Sequence, residues 1–257
     1  MKMMRFTATK LADYHRCGFL FRALHVHRIP TGFVAARRRG ITVHAISHVA
    51  DSYATRAGKQ AASESLLRLM SSVKERERAR ELLLAYEELR SAEPQLLIEK
   101  TIDARVAGQI VRVRPDRVER FDVDGLAVID IKTGIWIDED HERTKMRAAS
   151  VALDQRFDRR VEAWFILDLA NRRRVDIGPA EPPRECGLML ARLVRGIEAQ
   201  RLAPRPGTYC RRCPARAYCP EATPRPRSLP PASSGGARPA VVQATLFPAS
   251  AQEVDQG

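Results

Sequence analysis

No apolar run in the chain approaches the roughly 20 residues that a bilayer crossing requires, so no membrane partner is expected. The N-terminal stretch MKMMRFTATKLADYHRC lacks the apolar core of a secretory signal, and the expected location is cytoplasmic. No G-x-x-x-x-G-K-[ST] sequence is present: Gly58-Lys59 lacks both the upstream glycine and the following hydroxyl residue. Without that phosphate-cradling loop the chain carries no nucleotide-driven motor of its own. Cysteine is scarce, with five residues. In a cytosolic chain these are expected to be metal ligands or free thiols rather than disulfides.

What is abundant is positive charge. The formal net charge is +13 over 257 residues, with arginine clusters at Arg37–Arg39, Arg172–Arg174 and Arg211-Arg212. Such an excess favours a polyanionic partner; a solvated basic surface is the alternative. The length suits one sizeable core with a tail. Residues 221–240, EATPRPRSLPPASSGGARPA, are rich in proline, serine and glycine and poor in apolar side chains, so they are expected to form a disordered linker.

The stretch from Pro94 to Gly134 organises the rest. Leu126–Lys132 alternates, placing Leu126, Val128, Asp130 and Lys132 on one strand face and Ala127, Ile129 and Ile131 on the other. Asp122-Val123-Asp124-Gly125 is a turn signal, so this strand is expected to pair with Arg117–Phe121 in a hairpin. That pairing carries Asp116 towards Asp130. Two carboxylates and a lysine converging at a sheet edge form a site for a hard cation with an ammonium beside it; a solvated hairpin with scattered charges is the alternative. Glu99, on the first strand of the stretch, is either part of this site or a strand-edge carboxylate in water.

Helical patterns flank the stretch. Thr7–Val26 reads as a helix capped by Thr7 or Thr9, with Leu11, Tyr14 and Phe19 on its apolar side. Gly40 precedes a helical run in which His44 and His48 share a face. Ser63–Leu89 predicts one or two core-packed helices, Asp154–Ala170 another, and Pro183–Leu202 a last one containing Cys186. A turn and a further strand are expected over Asn171–Gly178.

Pro115-Asp116, thirteen intervening residues and Asp130-Ile131-Lys132-Thr133-Gly134 resemble the signature of PD-(D/E)-x-K nucleases in their RecB-type form. Gly40…His44 resembles the G-x-x-x-H motif of the same group. The resemblance covers residues 5–220 and implies an α/β fold: a restriction-endonuclease-like core with a central mixed sheet flanked by helices. It implies Mg²⁺ or Mn²⁺ held by His44, Asp116, Asp130 and the backbone carbonyl of Ile131. Asp116, Asp130, Lys132 and Glu99 are then the catalytic set. The implied activity is exonucleolytic hydrolysis of DNA phosphodiesters, on single strands, in repair, recombination or CRISPR-type processing, with any unwinding left to a helicase or recombination partner. Arg37, Arg38, Arg39 and Gln155 are the expected DNA-binding residues. The Gln-x-x-x-Tyr element of RecB-type domains is imperfect here, because Arg159 follows Gln155 where tyrosine belongs. That departure favours the alternative, an inactive DNA-binding or scaffold protein with the same fold.

Cys210, Cys213 and Cys219 follow C-x2-C-x5-C spacing. A tetrahedral zinc or an iron–sulfur cluster takes four thiolates, and Cys17 is the natural fourth. One N-terminal and three C-terminal cysteines resemble the staple of AddB-type and CRISPR-associated RecB-like exonucleases. This implies a nuclease domain over residues 1–220 closed by a [4Fe–4S] cluster in a helical cap made from both chain ends, with zinc as the alternative and Cys186 a free thiol. In the tail, residues 221–257, Gln243, Leu246 and Phe247 resemble the peptide by which bacterial replication and repair proteins dock on the sliding clamp.

Overall fold

The computed structural model describes residues 5–31, 40–45, 47–48, 56–68, 70, 72–91, 95–122, 124–134, 137–222 and 224–232. The expected docking residues Gln243, Leu246 and Phe247 and the expected DNA-binding residues Arg37, Arg38 and Arg39 lie outside them.

The chain opens with strand β1 (Arg5–Thr7) and helix α1 (Ala8–Arg16), where the Thr7 hydroxyl accepts from the Lys10 N–H at 3.2 Å. Cys17 breaks the helix in extended backbone before α2 (Gly18–Phe21) and a π-helical turn over Arg22–Val26. Residues 40–45 and 47–48 are helical (α3). The leucine-rich stretch divides into α4 (Arg56–Arg68) and α5 (Val73–Leu89), the second capped by Ser72.

Strands β2 (Gln95–Ile98), β3 (Ile102–Val106), β4 (Gln109–Val113), β5 (Arg117–Phe121) and β6 (Gly125–Lys132) follow. After them come α6 (Glu139–Phe157), β7 (Val161–Asp168), β8 (Arg173–Pro179) and α7 (Pro183–Glu198). The main sheet has the order β2-β5-β6-β7-β8 and is mixed. Within it β6 and β7 run parallel and the other pairs antiparallel, and α6 supplies the crossover that a parallel pair needs. A smaller sheet, β1-β4-β3, stands beside it. Among the described residues no helix is long and apolar enough to cross a membrane.

The expected hairpin is present, with Arg117 opposite Ile129 and Phe121 opposite Gly125. Positive φ is taken by Asp122, at 57°, rather than by the glycine. Gly125 is required for a different reason: a Cβ there would come within 2.6 Å of both the Phe121 carbonyl and the Glu162 carboxylate. The alternation of β6 also holds. Leu126 and Val128 join a core with Met146, Ala149 and Leu153 of α6, whereas Ile129 and Ile131 pack with Val43, Leu82 and Tyr86. Asp130 and Lys132 therefore face α6. Beneath the strand, Arg117 and Glu119 form an ion pair that is 1% and 2% exposed, with the Tyr86 hydroxyl accepting from Arg117 at 3.1 Å.

One expected element is corrected. The segment Asp154–Ala170 is not one helix: α6 ends at Phe157, Asp158 with φ of 52° provides a left-handed cap, and Val161–Asp168 is strand β7, beside the central strand β6. A strand buried on both faces is a continuous apolar run, and periodicity does not separate such a run from a buried helix.

Candidate active site

Strand geometry fixes the centre of the site. The Leu169 N–H donates to the Lys132 carbonyl at 2.9 Å across the β7 side of β6. Backbone groups alternate along a strand, so the N–H and C=O of Ile131 project to the opposite, β5 side. There Asp116, just before β5 and behind the buried Pro115, accepts the Ile131 N–H on Oδ2 at 2.6 Å. The Ile131 carbonyl thus emerges on the strand edge that Asp116 lines.

His44 reaches the same place from α3. Its Nδ1 lies 3.0 Å from Glu99 Oε1 and 3.4 Å from Asp116 Oδ1. Gly40 brings the start of α3 close to the strand end: a Cβ on it would stand 3.3 Å from Thr133 Oγ1. The two expected motifs, Gly40…His44 and Asp130–Gly134, therefore meet. Glu99 ends β2 with φ of 49°, a left-handed conformation unusual for a glutamate, and its N–H donates to the Asp116 carbonyl at 3.2 Å. Strain of this kind collects where surrounding structure holds a functional group in place.

His44, Glu99 and Asp116 place ligand atoms within 4.8 Å of one another, a metal-competent group among the described residues. The site fits a divalent cation on a further observation. Glu99 Oε2 is buried without an aligned hydrogen bond, although Arg114 Nε lies 2.6 Å away. One imidazole with carboxylate and carbonyl oxygens suits Mg²⁺ or Mn²⁺. Electrostatics point the same way. Burial disfavours the imidazolium of His44, but Asp116 and Glu99 overcome it and raise its pKa to about 10. Burial likewise opposes ionisation of Asp116, but His44 holds its carboxyl well below the usual range, with help from Lys145 and Lys132.

Asp130 stands apart from that three-residue group. Its Oδ2 lies 2.5 Å from Lys132 Nζ without hydrogen-bond alignment, and its Oδ1 accepts from Lys145 Nζ at 2.6 Å. Glu142 Oε2 lies 2.7 Å from Lys145 Nζ and 3.0 Å from Lys132 Nζ. Sequence reasoning missed Lys145 and Glu142. The acidic run Asp138–Asp140, which caps α6 and fills its first turn, was the available signal for a helix start here.

Gln155 is not brought to the site. Its Oε1 accepts the Arg105 N–H at 2.8 Å and its Nε2 donates to the Arg105 carbonyl at 3.0 Å. Ten residues separate it from Lys145, about 15 Å along a helix. The cluster Arg172–Arg174 is also engaged, through Glu88, Asp168 and the Phe165 ring.

A second constellation joins the chain ends. Cys17, Cys210, Cys213 and Cys219 line one cavity of about 250 Å³, together with Phe19, Leu20 and Tyr209. Backbone N–H groups of Arg205 and Gly207 donate to the sulfurs of Cys17 and Cys210, each at 3.3 Å. Cys186 is elsewhere, fully buried in the main core, where burial pushes its thiol up to about 12.

Comparison with curated proteins gives no significant match. Among solved structures, the chain is similar to a candidate exonuclease from Eubacterium rectale at 10% identity and a TM-score of 0.48. That match covers 81% of this chain and 86% of the other. It is also similar to the protein SSO0001 at 14% identity and a TM-score of 0.41, over 87% and 89% of the two chains. The family model described as PD-(D/E)XK nuclease superfamily matches residues 5–220. By that match, which spans the sheet, the His44–Glu99–Asp116 group and the Asp130–Lys132 strand end, the chain belongs to the PD-(D/E)XK nuclease superfamily.

Proposed function

We propose that the protein is a Mg²⁺- or Mn²⁺-dependent deoxyribonuclease that degrades single-stranded DNA from an end, with an iron–sulfur cluster in the cysteine-lined cavity. The observation that carries the catalytic part is the convergence of His44, Glu99 and Asp116 beside Asp130 and Lys132 at the mouth of the β5–β6 hairpin. His44, Asp116 and the Ile131 carbonyl are the proposed metal holders. Glu99 joins them by its place in the same group, and Asp130 completes the set from the neighbouring strand. A divalent cation there supplies Lewis acidity at a phosphoryl oxygen and lowers the pKa of a water. Lys132 orients the attacking water and stabilises charge on the phosphoryl transition state. Arginines hold the phosphate backbone, so binding weakens with salt.

Preference for ends and for single strands rests on the likeness of the Asp130–Gly134 and Gly40…His44 motifs to RecB-type domains. The rival, a DNA-binding scaffold, is favoured by the engagement of Gln155 with Arg105. Anaerobically purified protein, incubated with end-labelled single-stranded DNA and Mn²⁺ or Mg²⁺ beside Asp130→Ala, decides between them. Metal-dependent degradation lost in the variant supports the nuclease, and the labelled end gives polarity. Binding without cleavage by both proteins leaves the scaffold reading.

Metal binding is expected to compete with a proton. The His44 imidazole, its pKa raised to about 10 by Asp116 and Glu99, is charged at neutral pH without metal, and a ligating imidazole must be neutral. The sign follows: protons oppose the cation, so apparent Mn²⁺ affinity should rise about tenfold per pH unit from about pH 7 to 9. Calorimetric titrations across that range should show the slope, and His44→Asn should flatten it. A pH-independent midpoint in the native protein would exclude His44 as a ligand.

A further inference from the structure

Lys132 is the ammonium that the signature assigns, yet the structure places a second one beside it. Lys145, on α6, and Lys132, on β6, alternate with Asp130 and Glu142 in a closed ring of four charges, with separations of 2.5 to 3.0 Å. The ring has an inside and an outside. The Asp130 and Glu142 side chains are 10% and 7% exposed, whereas those of Lys132 and Lys145 are 23% and 24% exposed. The carboxylates thus form the floor and the ammoniums the rim. Each ammonium has three N–H donors and two carboxylate neighbours in the ring, so an incoming anion can take a donor on either lysine.

Two ammoniums are more than Asp130 needs. A single lysine would neutralise its charge; the second, half-buried ammonium is balanced by Glu142, so the ring is neutral as a whole while two cations line its open side. Glu142 keeps that second charge in place and is itself fixed. His141 Nδ1 lies 3.3 Å from Glu142 Oε1, His141 Nε2 lies 3.1 Å from Asp13 Oδ1, and Asp13 Oδ2 lies 2.8 Å from His25 Nε2. This chain runs from the ring through the first turn of α6 to α1 and the π-helical turn.

We propose that Lys145 is a second catalytic cation, donating to a non-bridging oxygen of the scissile phosphate alongside Lys132, and that Glu142 is a positioning residue that holds both ammoniums. The proposal rests on the nuclease reading above. It needs no co-reactant: Lys145 keeps its proton, stabilises charge that develops on phosphorus-bound oxygen, and releases the product phosphate unchanged. When Asp130 serves a divalent cation, Glu142 alone still tethers the two lysines, and their charge is then available to the phosphate.

The test compares Lys145→Met, Lys145→Arg and Glu142→Gln with the native full-length protein on labelled single-stranded DNA at saturating Mn²⁺. Readouts are kcat, KM, the Mn²⁺ midpoint and the thermal midpoint. Lys145→Met should lower kcat by about 100-fold, the order seen when one preorganised donor is removed, with KM and the Mn²⁺ midpoint nearly unchanged. Lys145→Arg, which retains the charge, should recover at least about tenfold of that loss. Glu142→Gln should lower kcat by about tenfold with KM nearly unchanged, because it loosens both ammoniums at once. Should Lys145→Met not fold, Lys145→Gln keeps a donor to Asp130 without the charge and decides in the same terms. A folded uncharged variant cleaving within twofold of the native rate overturns the proposal and leaves the nuclease reading intact. A native protein that does not cleave with either metal sinks both, so the two failures are distinct.

Discussion

Asp116→Asn should reduce cleavage of single-stranded DNA by at least about 10³-fold, the order expected when a charge-stabilising centre is lost, while DNA affinity changes by no more than a few-fold. The substitution is nearly isosteric. The asparagine carbonyl can still accept the Ile131 N–H that Asp116 Oδ2 now takes at 2.6 Å, so β5 and β6 keep their register. What disappears is the negative charge shared between His44 and a cation. Glu99 remains as a partner for the imidazole at 3.0 Å, so the variant leaves no buried ion without a counter-charge and should fold. The His44 pKa should fall back towards its ordinary value, because Asp116 is the strongest influence raising it against burial. Nuclease rates, filter-binding affinities and a histidine titration followed by nuclear magnetic resonance check the three parts separately. If the variant cleaves within tenfold of the native rate, Asp116 is a structural cap for the β6 backbone and not a ligand.

How much of this site could be read from the sequence depended on how local its cause was. The β5–β6 hairpin was legible because alternation and an acidic turn are short-range signals, and Asp116 came with it since the register carries the residue before β5 opposite Asp130, within reach of the Ile131 N–H. The pairing of Gly40…His44 with the strand end was legible only through family resemblance. Nothing in the local pattern says that α3 approaches Thr133 closely enough to constrain a side chain at position 40. The helix–strand boundary at Asp158 was missed because β7 is buried on both faces, so its apolar run carries no period-two signature. That error also hid Lys145 and Glu142. Their roles depend on α6 starting at Glu139 and crossing over the face that carries Asp130, a tertiary arrangement with no motif of its own. Gln155 shows the converse: a motif position was legible, but the chain uses its amide to clamp the β3 backbone.

The cysteine cavity gives the second large expected effect. Cys17→Ser in anaerobically purified protein should remove the visible absorbance and bound iron expected of the native chain and lower its thermal midpoint by about 10 °C or more. The magnitude follows because cofactor binding energy is folding energy when the ligands come from distant segments, and each kcal/mol moves the midpoint of a chain this size by about 2–4 °C. Cys17 is the position of greatest leverage. It sits at the break between α1 and α2, whereas the other three sulfurs follow α7, almost 200 residues away in sequence. The two ends already touch. A Cβ on Gly18 would meet the Leu202 backbone at 2.8 Å, and the Tyr209 hydroxyl donates to the Arg16 carbonyl at 2.7 Å. A cluster would therefore lock an existing contact rather than create one, and its loss should loosen the cap before the sheet. Because Asp13, one turn before Cys17, contacts His141 beside Glu142, loosening α1 should also lower cleavage in the folded fraction. Cys186→Ser is the control: that thiol lies outside the cavity, so iron content and colour should be unchanged even though the core substitution costs some stability. A colourless native protein with one equivalent of zinc, or a Cys17→Ser variant melting with the native protein, would remove the iron–sulfur staple.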